Sequence, residues 1–328
     1  MNTKNAKLSL SFFKLFFIMS SLVSCSLLDD PLSRDKDLSP ASDLLAEEDT
    51  TSLNFFVFGD WGYNGSDNQY EVKSEMALIA GLVAPEFIVS SGDNFHNTGV
   101  SSISDPLWQS NYENVYSDVS LKIPWYPALG NHDYIGDPDA QVGYTAINEY
   151  WNMPARYYTF TKSIQPDNKV RFVVLDTYGL LEEFKNLQDT SEYFLIEQYS
   201  WLKDLMPGVE EKWIIVIGHH PVFSASPFHD DDTEFMKKLI KPLLDTYKVD
   251  FYFSGHDHDF EHAREMGKTT EYVVTGTGAL PTPVGSESTT LFSMSKLGFT
   301  YISMTSSDVE LFFITADDRI PYSYIRAK

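Results

Sequence analysis

Five times along this chain an apolar run ends in a glycine followed at once by aspartate, asparagine or histidine. "FFVF" leads into Gly59-Asp60-Trp61-Gly62, "FIVSS" into Gly92-Asp93-Asn94, and "PWYPAL" into Gly130-Asn131-His132-Asp133. "WIIVI" leads into Gly218-His219-His220, and "DFYFS" into Gly255-His256-Asp257-His258. Such short apolar runs read as strands, and several lack a polar face, as strands covered on both sides of a layered α/β fold do. In α/β sheets, ligands gather beyond the carboxyl ends of strands. Five corners of this kind predict one sheet-based body whose polar side chains converge.

The segments between the corners carry helical spacing. Val72, Met76, Ile79 and Val83 form one apolar stripe, and Leu195, Tyr199, Leu202 and Met206 form another, closed by Pro207-Gly208. Phe235, Leu239 and Leu243 mark a third helix with a kink expected at Pro242. From about residue 298 the tail alternates apolar and polar residues, the pattern of an antiparallel meander. Sheets flanked by helices and ending in antiparallel strands predict a layered sandwich beginning at residue 53. Segments 63–70, 97–111 and 281–292 would form the rim of the site.

The N-terminus reads differently. Residues 1–14 are basic and free of acids, and "LFFIMSSLV" is apolar but too short to span a bilayer. "LVSC", Leu22 to Cys25, resembles the lipobox of bacterial lipoproteins. The resemblance implies removal of residues 1–24 as a signal peptide and lipidation of Cys25. Cys25 is the only cysteine, so the exported part has no disulfide available. Residues 26–52 are acidic and rich in serine and aspartate, and are expected to be a flexible tether. The expected location is a periplasm-facing membrane or the cell surface. The formal net charge of −23 opposes nucleic-acid binding through phosphates.

All eight histidines, at 96, 132, 219, 220, 229, 256, 258 and 262, lie in these corners or close to them. One such histidine alone would be an ordinary core or surface residue; the set together argues for a metal site. Mixed aspartate, asparagine and histidine ligands suit iron, zinc or manganese. The candidates are too many for one ion and suit two ions sharing a carboxylate, which acidify water and stabilise charge in the in-line hydrolysis of phosphate esters.

The set GDxG, GDN, GNHD, VxxH and GHxH, with "AQVGYTAINEYWNMPARYYTF", "GHHPVF" and "GHDHDFEH", resembles the metallophosphoesterases. More narrowly, it is similar to the small purple acid phosphatases of the tartrate-resistant type. The resemblance covers most of residues 53–328 and implies a single catalytic domain: a four-layer αββα sandwich of two mixed β-sheets flanked by helices. It implies a first ion held by Asp60, Asp93 and His258, and a second by Asp93, Asn131, His219 and His256, with Asp93 bridging. The ions would be iron with iron, zinc or manganese. It further implies that His132 serves the leaving oxygen, with Asp133 able to orient it. Asn131, His132 and His229 would contact substrate, and His220 and His262 would be neighbours without a ligand role.

At position 96 the resemblance predicts a tyrosinate ligand, and this chain has histidine. His96 is expected to ligate directly or through water, and an iron-loaded chain is expected to lack a tyrosinate charge-transfer band. The implied activity is a phosphomonoesterase acting as a monomer. A phosphodiesterase on the same scaffold and a surface-anchored binding protein without turnover are the alternatives. "GTGALPTPVG" lacks the Lys-Ser/Thr of a P-loop, and the acidic runs lack calcium-loop spacing.

Overall fold

The computed structural model describes residues 40–45, 52–165, 168–228 and 232–328. The signal-peptide segment, Cys25 and His229 lie outside these residues. The strands are β1 (Leu53–Phe58), β2 (Phe87–Ser90), β3 (Trp125–Pro127), β4 (Tyr158–Gln165), β5 (Asn168–Val174), β6 (Trp213–Ile217) and β7 (Phe251–Ser254). They continue with β8 (Phe260–Arg264), β9 (Glu271–Thr275), β10 (Thr290–Met294), β11 (Gly298–Met304), β12 (Asp308–Thr315) and β13 (Arg319–Ala327). The helices are α1 (Ala41–Leu44), α2 (Asp67–Val83), α3 (Pro138–Tyr144), α4 (Thr177–Lys185), α5 (Glu197–Leu205), α6 (Asp232–Leu239) and α7 (Lys241–Thr246).

Two mixed sheets form, one of six strands ordered β13-β12-β11-β1-β2-β3, the other of seven ordered β10-β8-β9-β7-β6-β5-β4. Alternation within single strands sorts the layers. Val170, Phe172 and Val174 of β5 and Trp213, Ile215 and Ile217 of β6 face the first sheet, in one core with Phe55 and Phe87. Their neighbours Val173, Ile214 and Val216 face away, in a second core with Leu180 and Leu181 of α4, Leu202 of α5, and Leu239 and Leu243 of α6 and α7. With a side-chain period of two, a strand apolar throughout buries both faces. Helix α2 lays Val72, Met76 and Ile79 on the six-stranded sheet, so the order is helix, sheet, sheet, helix, as expected. Phe172 meets Phe55 and Phe87 edge-on, each pair at 5.4 Å between centroids, so the two sheets are joined by aromatic contacts.

Three local expectations need correction. The helix expected across 235–243 is two helices. Their junction is Ile240, and Pro242 opens the second, where its missing N–H has no intrahelical partner to lose. Leu195 lies outside α5 and is exposed. The tether expected over 26–52 is docked at 40–45: Ala41 and Leu45 are buried, and the Ser42 N–H and hydroxyl donate to the Asp318 carboxylate at 2.8 and 2.9 Å. Two buried apolar side chains and the bonds to Asp318 attach this piece to the domain, although its composition reads as linker. Of the expected rim, residues 67–70 start α2 and 290–292 belong to β10.

Candidate metal centre

The five corners meet at one edge of the sandwich. Three leave the parallel strands β1, β2 and β3 of the first sheet, and two leave β6 and β7 of the second. Asp60, Asp93 and His256 have φ of 57°, 51° and 69°, a left-handed backbone that costs about 1–2 kcal/mol for a residue with a Cβ. The strain therefore sits on the site residues themselves. At Gly130 the glycine serves close approach: a Cβ there would lie 2.1 Å from Asp93 Oδ1. At Gly92, φ is 101° and a Cβ would meet the His219 ring at 2.6 Å.

Backbone donors fix the two carboxylates. The His132 N–H donates to Asp93 Oδ1 at 2.9 Å, and the His256 N–H donates to Asp60 Oδ2 at 3.0 Å. Among the described residues, Asp60 Oδ1 is buried without a hydrogen-bond partner and faces His258 Nε2 at 3.4 Å. Asp93 faces both ways: Oδ1 lies 3.5 Å from His219 Nε2, and Oδ2 lies 3.7 Å from His96 Nε2 and 3.9 Å from His132 Nε2. Asn131 Oδ1 stands between His219 Nε2 at 3.0 Å and His256 Nδ1 at 3.1 Å. Ligand atoms of Asp60, His96 and His258 lie within 4.8 Å of one another, as do those of Asp93, His96 and His132 and those of Asp60, Asp93 and His219.

His219 tests whether these residues suit a cation. Its Nδ1 is 3.0 Å from the Ser91 carbonyl oxygen, so Nδ1 carries a hydrogen and donates it. A neutral ring then turns the Nε2 lone pair toward two oxygens, those of Asn131 and Asp93. A proton or a metal ion between them removes that repulsion. Without an ion there, the proton would do so: burial pulls the His219 pKa down, but the Asp93 and Asp60 carboxylates outweigh it and raise it to about 10. Burial opposes the Asp93 charge, yet protonated His219 outweighs it and holds that carboxyl well below its usual range. Burial holds His96 neutral, its pKa down at about 4, and burial with His219 lowers His256. Neutral imidazoles have the lone pair that ligation needs. The residues present fit a metal centre.

Other expected residues take different places. Asp133 makes no hydrogen bond to the His132 ring, whose Nδ1 is buried without a hydrogen-bond partner among the described residues. Its oxygens accept instead from the backbone N–H of Gly130, Asn94 and Phe95 at 2.9, 3.2 and 3.0 Å. Asp133 therefore ties two corner loops together, the nearest unsatisfied backbone donors having claimed its oxygens. His220 is buried with Nδ1 2.9 Å from the Thr177 hydroxyl. His262 pairs with Glu271 at 3.1 Å and with the Tyr322 hydroxyl at 2.8 Å on β8. Tyr63, the first residue of the expected rim segment 63–70, stacks on His96 with centroids 4.3 Å apart.

A model of calcineurin-like phosphoesterases matches residues 53–260. The chain belongs to that family. Its similarity extends to human tartrate-resistant acid phosphatase type 5, 34% identical over 253 residues, covering 73% of this chain and 77% of the relative. Purple acid phosphatase 3 of Arabidopsis thaliana is 35% identical over 240 residues, 70% of this chain and 63% of the relative. Among solved structures, GAP50, the anchor in the inner membrane complex of Plasmodium, superposes with a TM-score of 0.75 at 24% identity, covering 84% of this chain and 89% of that one. That likeness concerns the fold. This metallophosphoesterase thus has purple acid phosphatase relatives and a family membership of the phosphatase-type hydrolase class.

Proposed function

We propose that this metallophosphoesterase hydrolyses phosphate monoesters at a centre of two ions. One ion would be held by Asp60, Asp93, His96 and His258, the other by Asp93, Asn131, His219 and His256. The observation that carries this reading is the placement of Asp93, whose two oxygens face opposite groups of ligands at 3.5 and 3.7 Å. Two ions of the iron, zinc or manganese type would acidify a water and neutralise phosphoryl charge.

The chain's own residues do the rest. Asn131 and His132 meet the ester phosphate. His132, whose side chain is 30% exposed, is placed to give a proton to the departing alcohol oxygen as water attacks phosphorus from the opposite side. The P–O bond to the alcohol breaks, and inorganic phosphate and the alcohol leave. Asp133 positions both loops and does not act on the proton. His229 is proposed as a further contact to the leaving group.

Cys25 would carry the lipid that tethers a monomeric domain to a membrane; no described helix is long and apolar enough to cross one. Replacing Cys25 with serine should move the protein from the membrane to the soluble fraction.

The functional test is hydrolysis of an aryl phosphate monoester and its diester as each metal is restored to metal-free protein. Faster turnover of the monoester is expected. Preference for the diester would make this a phosphodiesterase, and a metal-replete protein inert toward both would be a binding protein.

A further inference from the structure

The Tyr63 phenol oxygen stands 3.3 Å from His96 Nε2, the nitrogen that faces Asp93. The two rings are stacked, with planes 22° apart, and His132 also stacks on His96 at 3.8 Å. The phenol and Nε2 are within hydrogen-bond reach, but 3.3 Å is long for a hydroxyl donor.

The separation fits a different relation. With metal bonds of about 2.0–2.2 Å, neighbouring ligand atoms on one ion stand roughly 2.9–3.4 Å apart. His258 Nε2 and Asp60 Oδ1, at 3.4 Å, show the same spacing. The Tyr63 loop is held in place by close backbone approach: a Cβ at Gly62 would lie 1.9 Å from the Asn94 carbonyl oxygen. The Trp61 indole N–H, donating to the Ser90 hydroxyl at 2.9 Å, fixes the same loop from below.

We propose that Tyr63 is a ligand of the ion held by Asp60, His96 and His258. Its phenol oxygen gives a lone pair to the cation, the O–H bond breaks, the proton goes to solvent, and no electron changes hands. This inference rests on the two-ion reading and replaces the expectation that an iron-loaded chain lacks phenolate charge transfer. The phenolate comes from the loop after β1, while the loop after β2 supplies imidazole.

The full chain is loaded with ferric iron, its metal content is measured, and its visible spectrum is recorded. A phenolate-to-iron band is expected in the wild type. It should be lost in Tyr63→Phe with iron still bound, and kept in Tyr70→Phe, a tyrosine on the exposed side of α2. Resonance Raman of the wild type should show phenolate ring modes, a readout independent of how the variant folds. Bound iron without the band, or a band that survives Tyr63→Phe, overturns the inference and leaves the two-ion reading standing. A wild-type chain that binds no stoichiometric metal overturns both.

Discussion

The two halves of the metal centre are built to different standards. Around Asn131, His219 and His256, one amide oxygen sits between two imidazoles, and the Ser91 carbonyl fixes the His219 tautomer at 3.0 Å. Around Asp60, His96 and His258, Asp60 Oδ1 and the Nδ1 atoms of His96 and His258 are buried without hydrogen-bond partners among the described residues. Ligands tied by outer hydrogen bonds hold metal more firmly, by about 10–100-fold. The closed half should therefore hold its ion more firmly. The open half, with stacked Tyr63, His96 and His132, lacks that outer bracing.

The largest expected effect removes the contrast altogether. Asp93→Asn takes the shared charge from both halves, and metal analysis should find neither site filled. Turnover should fall by about 10³-fold or more, since the lost charge stabilisation is worth several kcal/mol. Loss of only one ion would show that Asp93 belongs to one half. Next, Gly92→Ala strains a left-handed position and pushes a methyl into the His219 ring, so it should empty the closed half selectively. Metal content should drop toward one ion per chain, with the open-half signals retained.

A smaller effect separates the halves by pH. With no metal bound, His219 keeps its proton up to about pH 10, so a metal must displace it. Affinity of the closed half should rise with pH, about tenfold per unit for each proton released. In the open half His96 stays neutral down to about pH 4, so the proton released on binding is that of the Tyr63 phenol, with a share from His258, which Asp60 raises against the pull of burial. Metal-binding calorimetry in buffers of different ionisation enthalpy counts the protons: Tyr63→Phe should lower the release from the open half by one and leave that of the closed half unchanged, and a release that Tyr63→Phe does not alter would break the comparison.

The smallest effect serves as a reference outside both halves. Burial, with Asp318 beside it, raises Glu75 on α2 to about 7. Its folded pKa exceeds the unfolded one, so its contribution is present at acid pH and is lost as the pH rises through about 7. Glu75→Gln keeps the neutral form, and should raise the melting temperature above neutrality while leaving metal content unchanged.

Much of this was legible along the chain because it is local. An apolar run with no polar face announces a strand covered on both sides, and a glycine before an acid or histidine announces a corner. The purple acid phosphatase likeness then assigned Asp60, Asp93, Asn131, His219, His256 and His258 to one site, and the structure brings these side chains together. Asp133 escaped because its adjacency to His132 suggested a partner, while folding brought unsatisfied N–H groups from residues 94, 95 and 130 closer to its oxygens. The docking of 40–45 escaped because composition carries no signal for an acceptor at residue 318.

The sequence by itself determined the layers, the five corners and the kinds of atom gathered at them, since side-chain periodicity and turn chemistry act over a few residues. Only the tertiary structure decided that the His219 lone pair faces two oxygens and that Tyr63 lies over His96. Both depend on loops separated by tens of residues being pressed together. Their spacing is set by packing between strands, which no local pattern encodes.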